Sequence, residues 1–156
     1  MRVKRFINKI LKICAYLPVL WQDEDWDYSY LLDLMKFKLN RIKNTIHKNN
    51  IITSNDIRDI CIGINQTIDH IQNYQDGFDA FEKIYGDVPF KHSFKTEKLD
   101  NGCYSMITWN DDENRPLTKK EDEIYNQWIK DAYDFEQKEW ALIFDTIKKE
   151  GQKWWD

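Results

Sequence analysis

Two runs of apolar residues, spaced alternately by four and three, fix most of what this chain can become. Tyr28, Leu32, Met35, Leu39, Ile42 and Ile46 form the first, and Ile57, Cys61, Ile64, Ile68 and Ile71 the second. Such spacing follows the 3.6-residue turn and sets each run along one side of a helix, where it must be buried against something. A strand would require strict alternation instead. Asp25 or Asp27 is placed to cap the first of these helices, and "TSND" at 53–56 to start the second. Short polar side chains there accept hydrogen bonds from the free N–H groups of a first helical turn. Gly63, inside the second seam, costs about 1 kcal/mol relative to alanine and reads as a point of close packing.

An earlier stripe, Phe6, Ile7, Ile10, Leu11, Cys14 and Leu17, has Arg2, Arg5, Lys9 and Lys12 opposite it. Pro18 is expected to end that helix, because it lacks a backbone donor and disfavours helix at Leu17. The stripe is expected to face the core, with the lysines solvated, although a helix lying on a membrane has the same pattern. After Ile71 the helical period stops. "YQDGF" and "YGDVPF" read as turns, "FKTEKL-DNG-CYSMITW" as a β-hairpin turning at Asn101-Gly102, and "NDDENRP" as an acidic loop.

Thr118 with Glu121 makes a capping box for a last helix that runs to about Lys149 and stops at Gly151. One seam of that helix is Tyr125, Trp128, Ala132, Phe135 and Leu142, and a second is Ile129, Tyr133, Trp140, Phe144 and Ile147. At about 1.5 Å per residue the helix is roughly 50 Å long, and two seams exceed one contact, so a homo-oligomer is expected. The pattern predicts a mainly α fold of four principal helices, with a small β-hairpin inserted before the long C-terminal helix. It predicts one helical domain over 1–156, in which 76–117 is a loop and hairpin insertion.

The 156 residues are 42 % hydrophobic and 32 % charged, which suits a folded, soluble chain. The formal charge of −4 argues against a nucleic acid polymer as partner. Charge is uneven: residues 1–50 carry ten basic and five acidic side chains, a net of +5, and the rest carry thirteen and twenty-two, a net of −9. Intramolecular complementarity or a basic face meeting an anion would each produce that split. Cys14, Cys61 and Cys103 are too few and too scattered for a disulfide framework or a zinc site, and suit a reducing cytosol. Lys9 and Lys12 interrupt the first apolar stretch, so neither a signal peptide nor stable membrane insertion is expected.

No residue set points to catalysis, a metal or a cofactor. Asp23, Asp25 and Asp27 imitate the start of a calcium loop, but Tyr28 and Leu34 stand where it needs glycine and glutamate. His47, His70 and His92 lack ligand spacing, and carboxylate pairs such as Asp111 and Asp112 are too common here to signify. The chain is therefore expected not to be an enzyme. Its unusual content is aromatic: seven Trp, eight Tyr and eight Phe. Trp21, Trp26, Tyr104, Trp109, Trp154 and Trp155 fall at helix ends, in the hairpin or at the terminus. There they could stack on a base or join a protein interface, and Trp26 with Trp154 and Trp155 could instead lock the chain ends together.

The head "W-x-D-x-D-W-D" at residues 21–27, the following "L-L-x-x-x-x-F-K-L", and the terminal "WWD" resemble a group of small phage-encoded proteins. The likeness covers both ends and the order of helices, and leaves out the hairpin. The group includes anti-defence sponges, which sequester cyclic nucleotide immune signals. The resemblance implies a non-enzymatic, oligomeric protein of the host-cell cytoplasm, and fixes neither ligand nor contacts. Chemistry supplies the candidates: Lys36, Arg41, Arg58 and Arg115 for the phosphates, Tyr104 and Trp109 for the bases. The alternative is an adaptor that binds a phage or host protein through exposed aromatic edges. A membrane-surface role for residues 1–17 is a third.

Overall fold

The structure, a computed structural model, describes residues 2–20, 29–49, 54–100 and 102–154, and their side chains except those of 2–6, 19, 20, 47, 49 and 54–56. The tryptophan-aspartate head with its capping aspartates, Tyr28, the cap at 53–56, Asn101, Trp155 and Asp156, and the His47 side chain lie outside the described residues. The fold is mainly helical, with a small antiparallel hairpin sheet before the long C-terminal helix. Its elements are α1 (Arg2–Leu20), α2 (Ser29–Asn49), α3 (Ser54–Asp76), α4 (Phe78–Tyr85), β1 (His92–Lys98), β2 (Tyr104–Asn110), β3 (Arg115–Pro116) and α5 (Lys119–Glu150). A short 3-10 turn, Gly151–Trp154, follows α5. Among the described residues no helix is long and apolar enough to cross a membrane. The chain divides into two compact units, residues 1–75 with 140–156, and residues 76–139.

In the first unit α2 and α3 run antiparallel, joined by Lys36 Nζ donating to Gln72 Oε1 (3.1 Å) and Lys43 Nζ to Asn65 Oδ1 (2.9 Å). The expected α2 seam is the core: Leu32, Leu39 and Ile46 are buried, with Met35 and Ile42 partly so. On α3 the expected seam also meets the core, with Ile64 and Ile71 buried and Ile57 and Ile68 partly so, while Cys61 is half-buried and the buried set extends to Ile60 and Thr67. Thr67 fits there because its hydroxyl donates to the Gly63 carbonyl (2.9 Å), leaving a methyl for the core. Ile143 and Trp154 complete this core, and Tyr74 packs on Trp140, which meets Phe144 edge-on.

Two expectations for α1 change. The helix continues through Pro18 to Leu20, since a proline in the last turn forfeits only one backbone bond. Its apolar stripe does not face the core: Ile7, Ile10, Leu11 and Leu17 are exposed, while Tyr16 meets Phe37 of α2 edge-on at 4.8 Å.

A methyl built on Gly63 would lie 3.6 Å from Glu150 Cβ and from two atoms of the Trp154 indole, which is ordinary contact. Close packing therefore stops short of excluding alanine. Gly63→Ala is expected to stabilise this unit by about 0.5–1 kcal/mol, read as a higher urea midpoint. A lower midpoint would show that the helices cannot yield even a methyl.

In the second unit, Phe78–Tyr85 is a helix inside the stretch expected to be loop, between the two expected turns. Gly77 (φ 51) and Gly86 (φ 90) bracket it, Asp79 and Lys83 suit its dipole, and Phe81 and Ala80 are buried with Ala132 and Phe135 of α5. The hairpin pairs His92 with Asn110 through Lys98 with Tyr104. Leu99 N–H donates to Cys103 O (2.8 Å) and Gly102 N–H to Leu99 O (2.9 Å), and Gly102 takes the positive φ of 83°. That is a three-residue turn. The acidic loop has structural duties: Asp112 accepts from Lys91 N–H (2.9 Å) and Asp111 from the Ser93 hydroxyl (2.7 Å). β3, Arg115–Pro116, adds a third strand beside β2.

Candidate functional site

Of the six residues expected to hold a ligand, Lys36, Arg41 and Arg58 belong to the first unit, and Tyr104, Trp109 and Arg115 to the second. Lys36 is engaged by Asp33 (3.3 Å) and Gln72. Arg41 lies five positions on, roughly 140° round α2, with its guanidinium over the Tyr16 ring at 5.1 Å and the Phe37 ring at 5.7 Å. Arg58 is exposed on α3. Tyr104 and Trp109 are an odd number of residues apart on β2, so they point to opposite faces of the sheet and cannot clamp one base. Lys95 covers the Trp109 ring at 3.7 Å, and the indole N–H donates to Asn114 Oδ1 (3.3 Å).

Arg115 is fully spent within the chain. Its Nη1 and Nη2 donate to both oxygens of Glu121 (2.7 and 2.9 Å), Nε donates to Glu113 (2.7 Å), and Nη1 also reaches the Pro116 carbonyl (2.9 Å). Glu121 is the hub. Besides the guanidinium it accepts from the Thr118 N–H (2.7 Å), the Thr118 hydroxyl (2.8 Å) and the buried Asn110 amide (3.0 Å). The expected capping box is thus present and tied to the sheet. These donors, Arg115 foremost, hold the Glu121 carboxyl well below its ordinary value of 4.5. A depressed carboxyl stabilises the fold above that ordinary value, and the contribution is lost as pH falls further. Melting temperature is expected to fall on acidification below about pH 4.5, and Glu121→Gln to flatten part of that slope. Glu150, lowered by its hydrogen bond from Lys153 (2.6 Å), supplies a further part that the variant leaves. Identical slopes in the two proteins would remove Glu121 from this role.

A recess of the second unit has no counterpart among the expectations from sequence. A groove of about 470 Å³ is walled by Phe81, Tyr85, Trp128 and Phe135. Phe81 sits 4.9 Å from Tyr85, 5.7 Å from Trp128 and 5.8 Å from Phe135 between ring centroids. Phe81 and Phe135 are buried as the floor, while Tyr85 is 63 % exposed. The Trp128 N–H donates to the Gly86 carbonyl (3.1 Å), which fixes that wall against the end of α4. Asp87, Asp131 and Asp134 line it with Lys138. A second recess of about 520 Å³ shares Trp128 and Asp131 and adds Glu123 and Ile124.

Residues 76–139 carry sixteen acidic and nine basic side chains, a net of −7. Aromatic faces are electron-rich, and carboxylates beside them deepen the negative potential, an arrangement that suits an organic cation better than a phosphate. Among the described residues no group of three or more His, Cys, Asp or Glu could hold a metal ion. In the first unit, an open groove of about 490 Å³ between α3 and the end of α5 mixes both signs, with Lys153 already paired to Glu150. On β1 and β2, Phe94, Tyr104 and Met106 are exposed, the last two at 70 %. No family model matches the chain, and neither a curated protein nor a solved structure matches it.

Proposed function

We propose that the protein is a non-catalytic adaptor that seats a basic segment of a protein partner in the aromatic groove of residues 76–139. The observation that carries this reading is the set of four aromatic walls beside Asp87, Asp131 and Asp134. An arginine side chain suits such a groove twice over, because its plane stacks on a ring while its N–H groups meet carboxylates. Phe94, Tyr104 and Met106 offer further apolar surface on the same unit. The test is tryptophan fluorescence titration with an arginine- and lysine-rich peptide and with its glutamate-rich counterpart. The basic peptide alone should bind, more weakly at high salt. Asp131→Asn with Asp134→Asn, both exposed and replaceable without unfolding, should weaken it about tenfold. Equal binding of the two peptides would end this reading.

A second reading is the phage anti-defence sponge, which would sequester a cyclic nucleotide immune signal in the host cytoplasm. Its support is the resemblance of the two chain ends and the Arg41 guanidinium stacked on Tyr16 in the basic half. Cyclic di- and trinucleotides and cyclic ADP-ribose isomers, incubated with protein and recovered after heat denaturation, separate the alternatives. Intact release of one compound supports the sponge, and a converted product would mean an enzyme. Homo-oligomerisation belongs to either reading. Trp140 of the second α5 seam is packed in its own chain, whereas Tyr133 and Phe144 remain exposed to support association. Light scattering near 19.0 kDa at all concentrations would exclude it.

A further inference from the structure

We propose that α1 lies flat on an anionic lipid bilayer and holds the protein at a membrane surface. Three observations meet in this helix. Residues 2–20 contain Arg2, Lys4, Arg5, Lys9 and Lys12 and no acidic residue. At about 100° per residue, Ile7, Ile10, Leu11, Ile13, Cys14 and Leu17 share one arc of roughly 160°, and Lys9 and Lys12 lie on the other side. Within that apolar arc Ile7, Ile10, Leu11, Ile13 and Leu17 are each between 43 % and 61 % exposed.

The attachment to the rest of the unit explains why the arc is free. Tyr16, which meets Phe37 at 4.8 Å and lies under Arg41, projects from the basic side of the helix. The apolar arc is therefore turned away from α2. An amphipathic helix with a lysine- and arginine-rich polar face buries its apolar side at the headgroup boundary and gains from anionic lipid. A second copy of α1 is a poorer occupant, because it offers no carboxylate to any of the five cations. Crossing the bilayer is excluded for this helix by its composition.

The test uses the whole protein in vesicle flotation. It should float with vesicles of phosphatidylcholine and phosphatidylglycerol, and partition at least about tenfold more weakly to phosphatidylcholine alone or in high salt. Ile10→Glu with Leu11→Glu should abolish flotation, and Lys9→Glu with Lys12→Glu should reduce it about tenfold. All four positions are exposed, so circular dichroism should be unchanged. Equal flotation with neutral and anionic vesicles would overturn the electrostatic basis. Absence of flotation would overturn the proposal, and a mass halved by the Ile10 and Leu11 substitutions would assign the face to a second copy instead.

Discussion

Trp154→Ala is expected to remove about 3–5 kcal/mol of stability from the unit of residues 1–75 and 140–156. Trp154 is only 6 % exposed and belongs to the core of Leu32, Leu39, Ile46, Ile60, Ile64, Ile71 and Ile143. It is the large side chain that ties the turn after α5 to α3, its indole lying 3.6 Å from where a Gly63 methyl would be. With whole-domain stabilities of about 5–15 kcal/mol, such a loss leaves the unit partly unfolded at room temperature. Trp154→Phe separates ring burial from hydrogen bonding. Among the described residues the buried indole N–H has no acceptor, so deleting it removes an unpaired donor along with part of the ring. The phenylalanine variant should stay within about 1.5 kcal/mol of the parent. Urea unfolding followed by far-UV circular dichroism measures both, and an alanine variant within about 1 kcal/mol would mean that this terminus is not part of the core.

Phe81→Ala should do comparable damage to residues 76–139. The buried cluster around Phe81 is Ala80, Ala132 and Phe135, and two of those three neighbours are alanine. Phe135 and the partly buried Phe78 and Trp128 line the space without filling it, so about 3–5 kcal/mol is again the expected cost. Phe81 also carries the groove, since Tyr85 and Trp128 both rest on its ring. Basic-peptide binding should vanish with it, whereas Phe81→Leu should keep most of both. Hydrogen exchange localises the effect: amides of 78–85 and 125–135 lose protection, while those of α2 keep it. A uniform loss across the chain would show that the two units unfold as one.

How much of this was legible depended on whether one segment carried the signal. The α2 seam was readable because every one of its described positions is apolar and in register. On α3 the same spacing marks Ile57, Ile64, Ile68 and Ile71, but the buried set also takes in Gly63 and Thr67, one with no side chain and one polar, which apolar spacing cannot register. The helix at Phe78–Tyr85 has the 3-4 spacing of Phe78, Phe81 and Tyr85, but it is short, and the glycine turns on either side dominated the reading. Of the candidate residues, Arg115 was selected by type alone. Glu113 and Glu121, two and six positions away, neutralise it, and no count of charges distinguishes a paired guanidinium from a free one. The groove was illegible for another reason. Its walls come from α4 and α5, some forty positions apart, and Trp128 and Phe135 had an adequate explanation as helix seam.

The discontinuous first unit has a consequence for synthesis. Residues 76–139 leave the ribosome before the segment 140–156 that completes the other unit. Leu32, Leu39, Ile64 and Ile71 must therefore wait for Ile143 and Trp154 while the intervening unit is made. At roughly 5–20 residues per second that interval is roughly 4–16 s, long enough for exposed apolar seams to meet a chaperone or one another. Residues 76–139 carry their whole core in one continuous stretch and face no such delay. Folding is therefore expected to run out of sequence order: residues 76–139 close first, and residues 1–75 are completed by 140–156.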